Sequence, residues 1–131
     1  MNQNKLTQAI EKMSMYGEND DTRMNFTRVM VNLIKSNAWV FVPFIENASD
    51  KQSLCIVEMY HKRWGVIFSE EEMFKVEHGV SIVSTGVCKV IDIILNDDEI
   101  DGIAINPFSR KHAYVPKVAL EVWCGKNNVN N

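Results

Sequence analysis

Two short stretches gather the residue types that anchor interfaces. His61, Lys62, Arg63 and Trp64 bring cationic and aromatic side chains together at an expected turn, and Asn106, Pro107, Phe108, Ser109 and Arg110 set a phenylalanine beside an arginine where a strand should end. Trp, Phe and Arg dominate the energetics of interfaces, because each buries a large area or makes forked contacts from few rotatable bonds. Arg63, Trp64, Asn106, Phe108 and Arg110 are therefore the candidate binding residues. The competing interpretation is that Trp64 and Phe108 simply cover the ends of the core, as amphipathic side chains often do.

Covalent chemistry has one candidate, Cys88. It is expected just after a strand and at the start of a helix, where the dipole and free amides favour a thiolate. Its surroundings argue for a packed thiol instead. A phosphatase-type loop needs an arginine six positions on, where the chain has Ile94, and a sulfurtransferase-type loop needs small amide-donating residues, where it has Lys89, Val90 and Ile91. His61, His78 and His112 stand far apart, with no partner at zinc-site spacing. Glu70, Glu71 and Glu72 suit the positive end of a helix dipole, and Asp97, Asp98, Glu99 and Asp101 lack the alternating ligands of a calcium loop. Gly86 and Lys89 do not have phosphate-loop spacing, and no serine sits in a Gly-x-Ser-x-Gly elbow. No catalytic residue, metal or cofactor is expected.

The elements that must position these residues follow from periodicity. Leu6, Ile10 and Met13 form one helical stripe, which Gly17 can terminate. Phe26, Val29, Met30, Leu33 and Ile34 form a second, started by Asp20, Asp21 or Thr22 and closed by Ser36 and Asn37. The dense run Trp39 to Ile45, interrupted by Pro43, is a strand. Glu46 to Gln52 is a polar loop, Ser53 to Tyr60 a second strand, His61 to Gly65 a turn and Val66 to Phe68 a third strand. Ser69 and Glu72 have capping-box spacing for a short helix from Glu70 to about His78, stopped by Gly79. Val80 to Ser84 is a strand, Val87 to Leu95 the clearest helix, and Ile100 to Asn106 a strand whose end is turned by Pro107, with Asn106 extended before the proline. A helix from Pro116 to Cys124 comes last. The expected architecture is α/β (α+β): a mixed β-sheet of about five strands with helices mainly on one side and two helices at the N-terminus. Residues 1–125 should form one domain and the Asn-rich residues 126–131 a disordered tail.

Composition bounds the partners. The chain has 131 residues, 46% hydrophobic and 24% charged, with a formal net charge of -3. It is long enough to bury a core without disulfides or a structural metal. There is no basic run to bind phosphate, so nucleic acid is not expected as a partner. The longest apolar run, Ala38 to Ile45, is far short of the roughly 20 residues of a membrane span, and the first residues contain no secretory signal. Three widely spaced cysteines, an odd number, point to a reducing compartment, the cytoplasm.

Three stretches together resemble the N-terminal domain of the enhanced serine sensitivity protein SseB family. They are Phe26 to Pro43 (FTRVMVNLIKSNAWVFVP), Val66 to Phe74 (VIFSEEEMF), and Asp101 to Pro107 (DGIAINP) followed by Tyr114, Val115 and Pro116. The Asp-Gly-x-x-x-Asn-Pro stretch is the most specific. Phe68 stands where family members commonly have Thr, and the second domain of longer members has no counterpart. The resemblance implies an α/β fold in a bacterial cytoplasmic protein, with no settled enzymatic activity. The expectation is thus a non-catalytic interaction or regulatory domain that binds a protein partner or self-associates. The alternatives are an immunity-type protein that neutralises a cognate toxin and, further off, a thiol-dependent enzyme using Cys88.

Overall fold

A computed structural model describes residues 4–46, 52–75 and 79–125. The expected tail at 126–131, most of the polar loop after the first strand, and the end of the short helix expected to reach His78 lie outside them.

Both N-terminal helices start where an asparagine can accept orphan amides. Asn4 Oδ1 takes Leu6 N at 2.9 Å and Thr7 N at 3.1 Å, opening α1 (Lys5–Tyr16), and Gly17 at φ 81° ends it. Helix α2 (Asp20–Ser36) opens with a reciprocal capping box between Asn19 and Thr22, both bonds 3.0 Å. The cap is therefore Asn19, one residue before the expected candidates. Asn37, left-handed at φ 49°, closes α2 as expected.

The strands form two sheets. β1 (Trp39–Glu46), β2 (Gln52–Leu54) and β5 (Val80–Gly86) make an antiparallel sheet in the order β2-β1-β5. β3 (Ile56–Met59), β4 (Lys62–Ile67), β6 (Gly102–Ile105) and β7 (Ala113–Pro116) make a second in the order β3-β4-β6-β7, with β4 and β6 parallel. The sheets are stitched where Phe41 and Phe68 exchange backbone bonds of 3.0 and 2.7 Å. Cys55 marks the crossing between β2 and β3: its N–H donates to Pro43 O and its carbonyl accepts from Val66 N. Pro43 is tolerated in β1 because its missing N–H faces this crossing and not the β5 ladder.

Helices α1, α2, α3 (Val87–Leu95) and α4 (Lys117–Trp123) cover one face. Leu6, Ile10, Met30, Val90, Ile91, Ile94 and Leu120 pack there on Val40, Val42, Ile67, Ile103, Ile105 and Val115. By strand alternation, Trp64, Val66, Gly102, Ala104 and Tyr114 point to the opposite, outer face. The class is α+β with two N-terminal helices. Where about five strands in one sheet were expected, the described residues hold seven in two sheets. The extra strands arise because the Ser53 to Tyr60 strand breaks at Cys55 and because Ala113–Pro116, too short to show a period, pairs with β6.

Two local expectations fail for physical reasons. The turn expected over His61 to Gly65 contracts to Tyr60 and His61, both at positive φ, which is the tight hairpin geometry that matches strand twist. Lys62 to Gly65 are consequently strand. The Ser69 capping box does not form; a single 3-10 turn, Glu71–Met73, replaces the described part of that helix, and no side chain caps it.

Candidate interaction site

The Asn-Pro corner is built from buried hydrogen bonds. Asn106, fully buried, accepts Ser69 N at Oδ1 (2.9 Å) and donates from Nδ2 to Ser69 Oγ (2.9 Å) and Lys111 O (3.1 Å). Ser69 Oγ also bonds Thr7 Oγ1 at 2.7 Å, and Asn4 Nδ2 donates to Ser69 O at 2.8 Å. The hydroxyl expected to cap a helix thus ties the end of β4 to α1 and to the end of β6. Asn106 is not extended before Pro107 but stands at φ 52°, a region asparagine tolerates better than most residues. Asn106 is a structural clasp, not a surface contact.

The clasp sets the loop that follows. Ser109 N donates to Asn106 O (3.2 Å), Lys111 N to Ser109 Oγ (3.0 Å), and His112 Nδ1 hydrogen-bonds Ser109 O. Within this internally tied loop Phe108 sits at φ 69° and is 85% exposed. Burying a phenylalanine is worth about 1.5–3 kcal/mol, and a left-handed backbone costs a non-glycine residue about 1–2 kcal/mol. Phe108 forgoes the first and bears the second, so nothing in the packing of the described residues accounts for its position.

Phe108 stands on the wall of an open groove of about 770 Å³ on the outer face. Val57, Val66, Phe68, Met73, Phe74 and Pro107 line it, with Glu72 and Lys75 also on its wall. Phe68 and Phe74 meet edge to face, ring centroids 5.7 Å apart, in the arrangement aromatic quadrupoles prefer. The opposite charges of Glu72 and Lys75 frame an apolar floor.

The other expected contacts do not join Phe108. Trp64 is only 4% exposed, its Nε1 donates to Met59 O at 2.9 Å, and its ring meets Tyr114 edge to face at 5.2 Å, so it is buried on the outer face and presents no surface to a partner. Arg63 has its main chain in the framework, its N–H donating to Asp101 Oδ2 (2.9 Å) and its carbonyl accepting from Asp101 N (2.7 Å), while its half-exposed guanidinium pairs with Glu99 Oε1 at 2.9 Å. Arg110 is exposed but lines a separate cleft of about 510 Å³ along β7, with Arg23, His112, Tyr60 and Tyr114. Burial, and secondarily the nearby charge of Tyr60, raises the Tyr114 pKa above its ordinary value of 10.0.

Cys88 lies in the first turn of α3. Its N–H donates to Asn37 Oδ1 (3.0 Å), and its Sγ donates to Ile34 O (3.3 Å). The first bond takes up a helix-start amide that an anion would use, and the second engages the thiol as a donor. Among the described residues no group of three His, Cys, Asp or Glu side chains is placed to hold a metal ion, and no helix is long and apolar enough to cross a membrane. The groove residues Phe68, Met73 and Phe74 were missed as a surface because the sequence placed Met73 and Phe74 in a helix. Their only signal was aromatic density in VIFSEEEMF. Compared with known proteins, the chain matches no family model, no curated protein and no solved structure.

Proposed function

We propose that this chain is a non-catalytic interaction or regulatory domain of the bacterial cytoplasm, SseB-like in type, which binds a protein partner by burying Phe108 and the adjoining outer-face groove. The observation that carries the proposal is Phe108 itself: an aromatic side chain, 85% exposed, held in a left-handed conformation by a hydrogen-bonded loop beside an apolar concavity. A backbone held in place before binding leaves less loop entropy to lose on association. The SseB-like part of the proposal rests on the resemblance, whose stretches VIFSEEEMF and DGIAINP meet through the Ser69 and Asn106 clasp. The odd cysteine count supports a reducing compartment.

The test is affinity capture from native lysate with the unaltered chain and Phe108→Ala in parallel, followed by titration of the captured protein. Loss of capture with unchanged thermal stability is expected. Equal capture by both removes the groove from the proposal.

A further inference from the structure

We propose that two copies of this chain join edge to edge through β5, giving a two-fold dimer with one antiparallel sheet running across both. β5 is the outer strand of β2-β1-β5 and, among the described residues, pairs with β1 alone. The bond from Val87 N to Ala38 O and the register Val42↔Val83 fix which backbone groups turn inward. Val83 and Thr85 address β1, so Val80, Ile82, Ser84 and Gly86 turn their N–H and C=O groups to the open edge. Among the described residues no backbone hydrogen bond takes up those of Val80, Ile82 or Ser84.

Sheet edges are ordinarily blocked by shortness, charge or proline. β2 has only three residues, β3 carries the exposed Glu58, and β7 ends at Pro116. β5 has seven residues, Val80–Gly86, with neither a charge nor a proline. A peptide partner would find no charge along it to read, whereas the strand is complementary to itself. Aligned antiparallel about Val83, it sets Ile82 opposite Ser84 of the partner subunit, large against small on the outer face, and Val80 opposite Gly86 of the partner subunit. On the other face Ser81 lies opposite Thr85 of the partner subunit, and Val83 meets its own copy.

Trp39 lies at the end of β1 beside this edge. It is 69% exposed and in the ladder lies opposite Gly86, whose outer face is covered by the Asn37 side chain. Val80 of the partner subunit arrives beside Gly86 and meets the Asn37 side chain on the face that carries the indole. Pairing about a two-fold axis consumes both β5 edges, so assembly stops at two copies instead of growing into a fibre.

Sedimentation equilibrium of the full chain tests this. The unaltered chain is expected at twice its 15.0 kDa mass. Ser84→Pro removes an N–H that faces away from β1, which an edge strand tolerates, and should give the single-chain mass with unchanged circular dichroism. Ser84→Lys is the second variant, should the first unfold. Val83→Cys should form a symmetric intermolecular disulfide on oxidation, identified by peptide mapping, because non-hydrogen-bonded cross-strand positions bring their Cβ atoms close. A single-chain mass for the unaltered protein, or a dimer that survives in folded Ser84→Pro and Ser84→Lys, overturns the proposal. So does a dimer abolished by Phe108→Ala alone, which would place self-association at the groove.

Discussion

Replacing Asn106 with alanine is the sharpest test of how the Phe108 loop is held. The substitution leaves the buried Ser69 N–H without its acceptor, a loss of about 1–3 kcal/mol. Ser69 Oγ keeps Thr7, and Lys111 O, on a half-buried residue, can turn to water, so these add less. Alanine at φ 52° adds about 1 kcal/mol of backbone cost that asparagine partly avoids. The total is about 2–4 kcal/mol, equivalent to a fall in Tm of about 7–15 °C for a domain of this size. Urea unfolding followed by tryptophan fluorescence measures it, with Asn106→Gly as the companion. Glycine loses the same hydrogen bonds but accepts the left-handed backbone, so it should be less destabilised than alanine by about 1 kcal/mol. A loss below about 1 kcal/mol for alanine, or glycine worse than alanine, would refute the clasp.

Three further outcomes are expected. Ile91→Ala, in the middle of α3 where Ile91 is buried, should cost about 2–5 kcal/mol in the same urea assay, and a cost under half a kcal/mol would contradict the packing of α3 on the sheets. Because the folded Tyr114 pKa lies above 10.0, the unfolded chain loses this proton first, so stability should fall as pH rises through about 10 toward the folded value; Tyr114→Phe should remove that component from alkaline unfolding curves. Cys88 in the native chain should be labelled by iodoacetamide more slowly than in the urea-unfolded chain, as mass spectrometry of its peptide would show, because its thiol donates to Ile34 O. Faster labelling in the native chain would restore the case for a nucleophile.

The helices were legible wherever an apolar stripe ran several turns, as in α1, α2 and α3, because period alone determines the buried face. β1 was legible from its density of branched and aromatic residues. Strand ends and short strands were not. β7 spans only Ala113–Pro116, and its pairing depends on β6, a partner no local pattern reveals. Ser69 and Glu72 had the spacing of a capping box, yet Ser69 is drawn into bonds with Thr7 and Asn106, far away in sequence, and tertiary contact overrode the local signal. The candidate site divided on the same principle. Trp64, Arg63 and Asn106 have residue types suited to recognition, but each is claimed by the framework: Trp64 by Met59 and Tyr114, Arg63 by Glu99 and Asp101, Asn106 by Ser69 and Lys111. In the Asp-Gly-x-x-x-Asn-Pro stretch, Asp101 holds the backbone of Arg63, Gly102 lies where a Cβ would collide with Trp64 and the β7 backbone, and Asn106 forms the clasp. The most specific motif therefore reports architecture, and of the five candidates Phe108 and Arg110 are exposed without a framework bond in the described residues, while the half-exposed Arg63 side chain pairs with Glu99.

The central claim is that Phe108 is exposed in order to be buried by a partner. Its most direct test is the affinity of a captured partner for the unaltered chain and for Phe108→Ala, measured by calorimetric titration beside the thermal stability of both. Weakening by at least about fivefold, near 1 kcal/mol, with Tm unchanged or slightly raised, is expected of an interface anchor. Equal affinities, or a Tm that falls while the folded fraction binds normally, would contradict it.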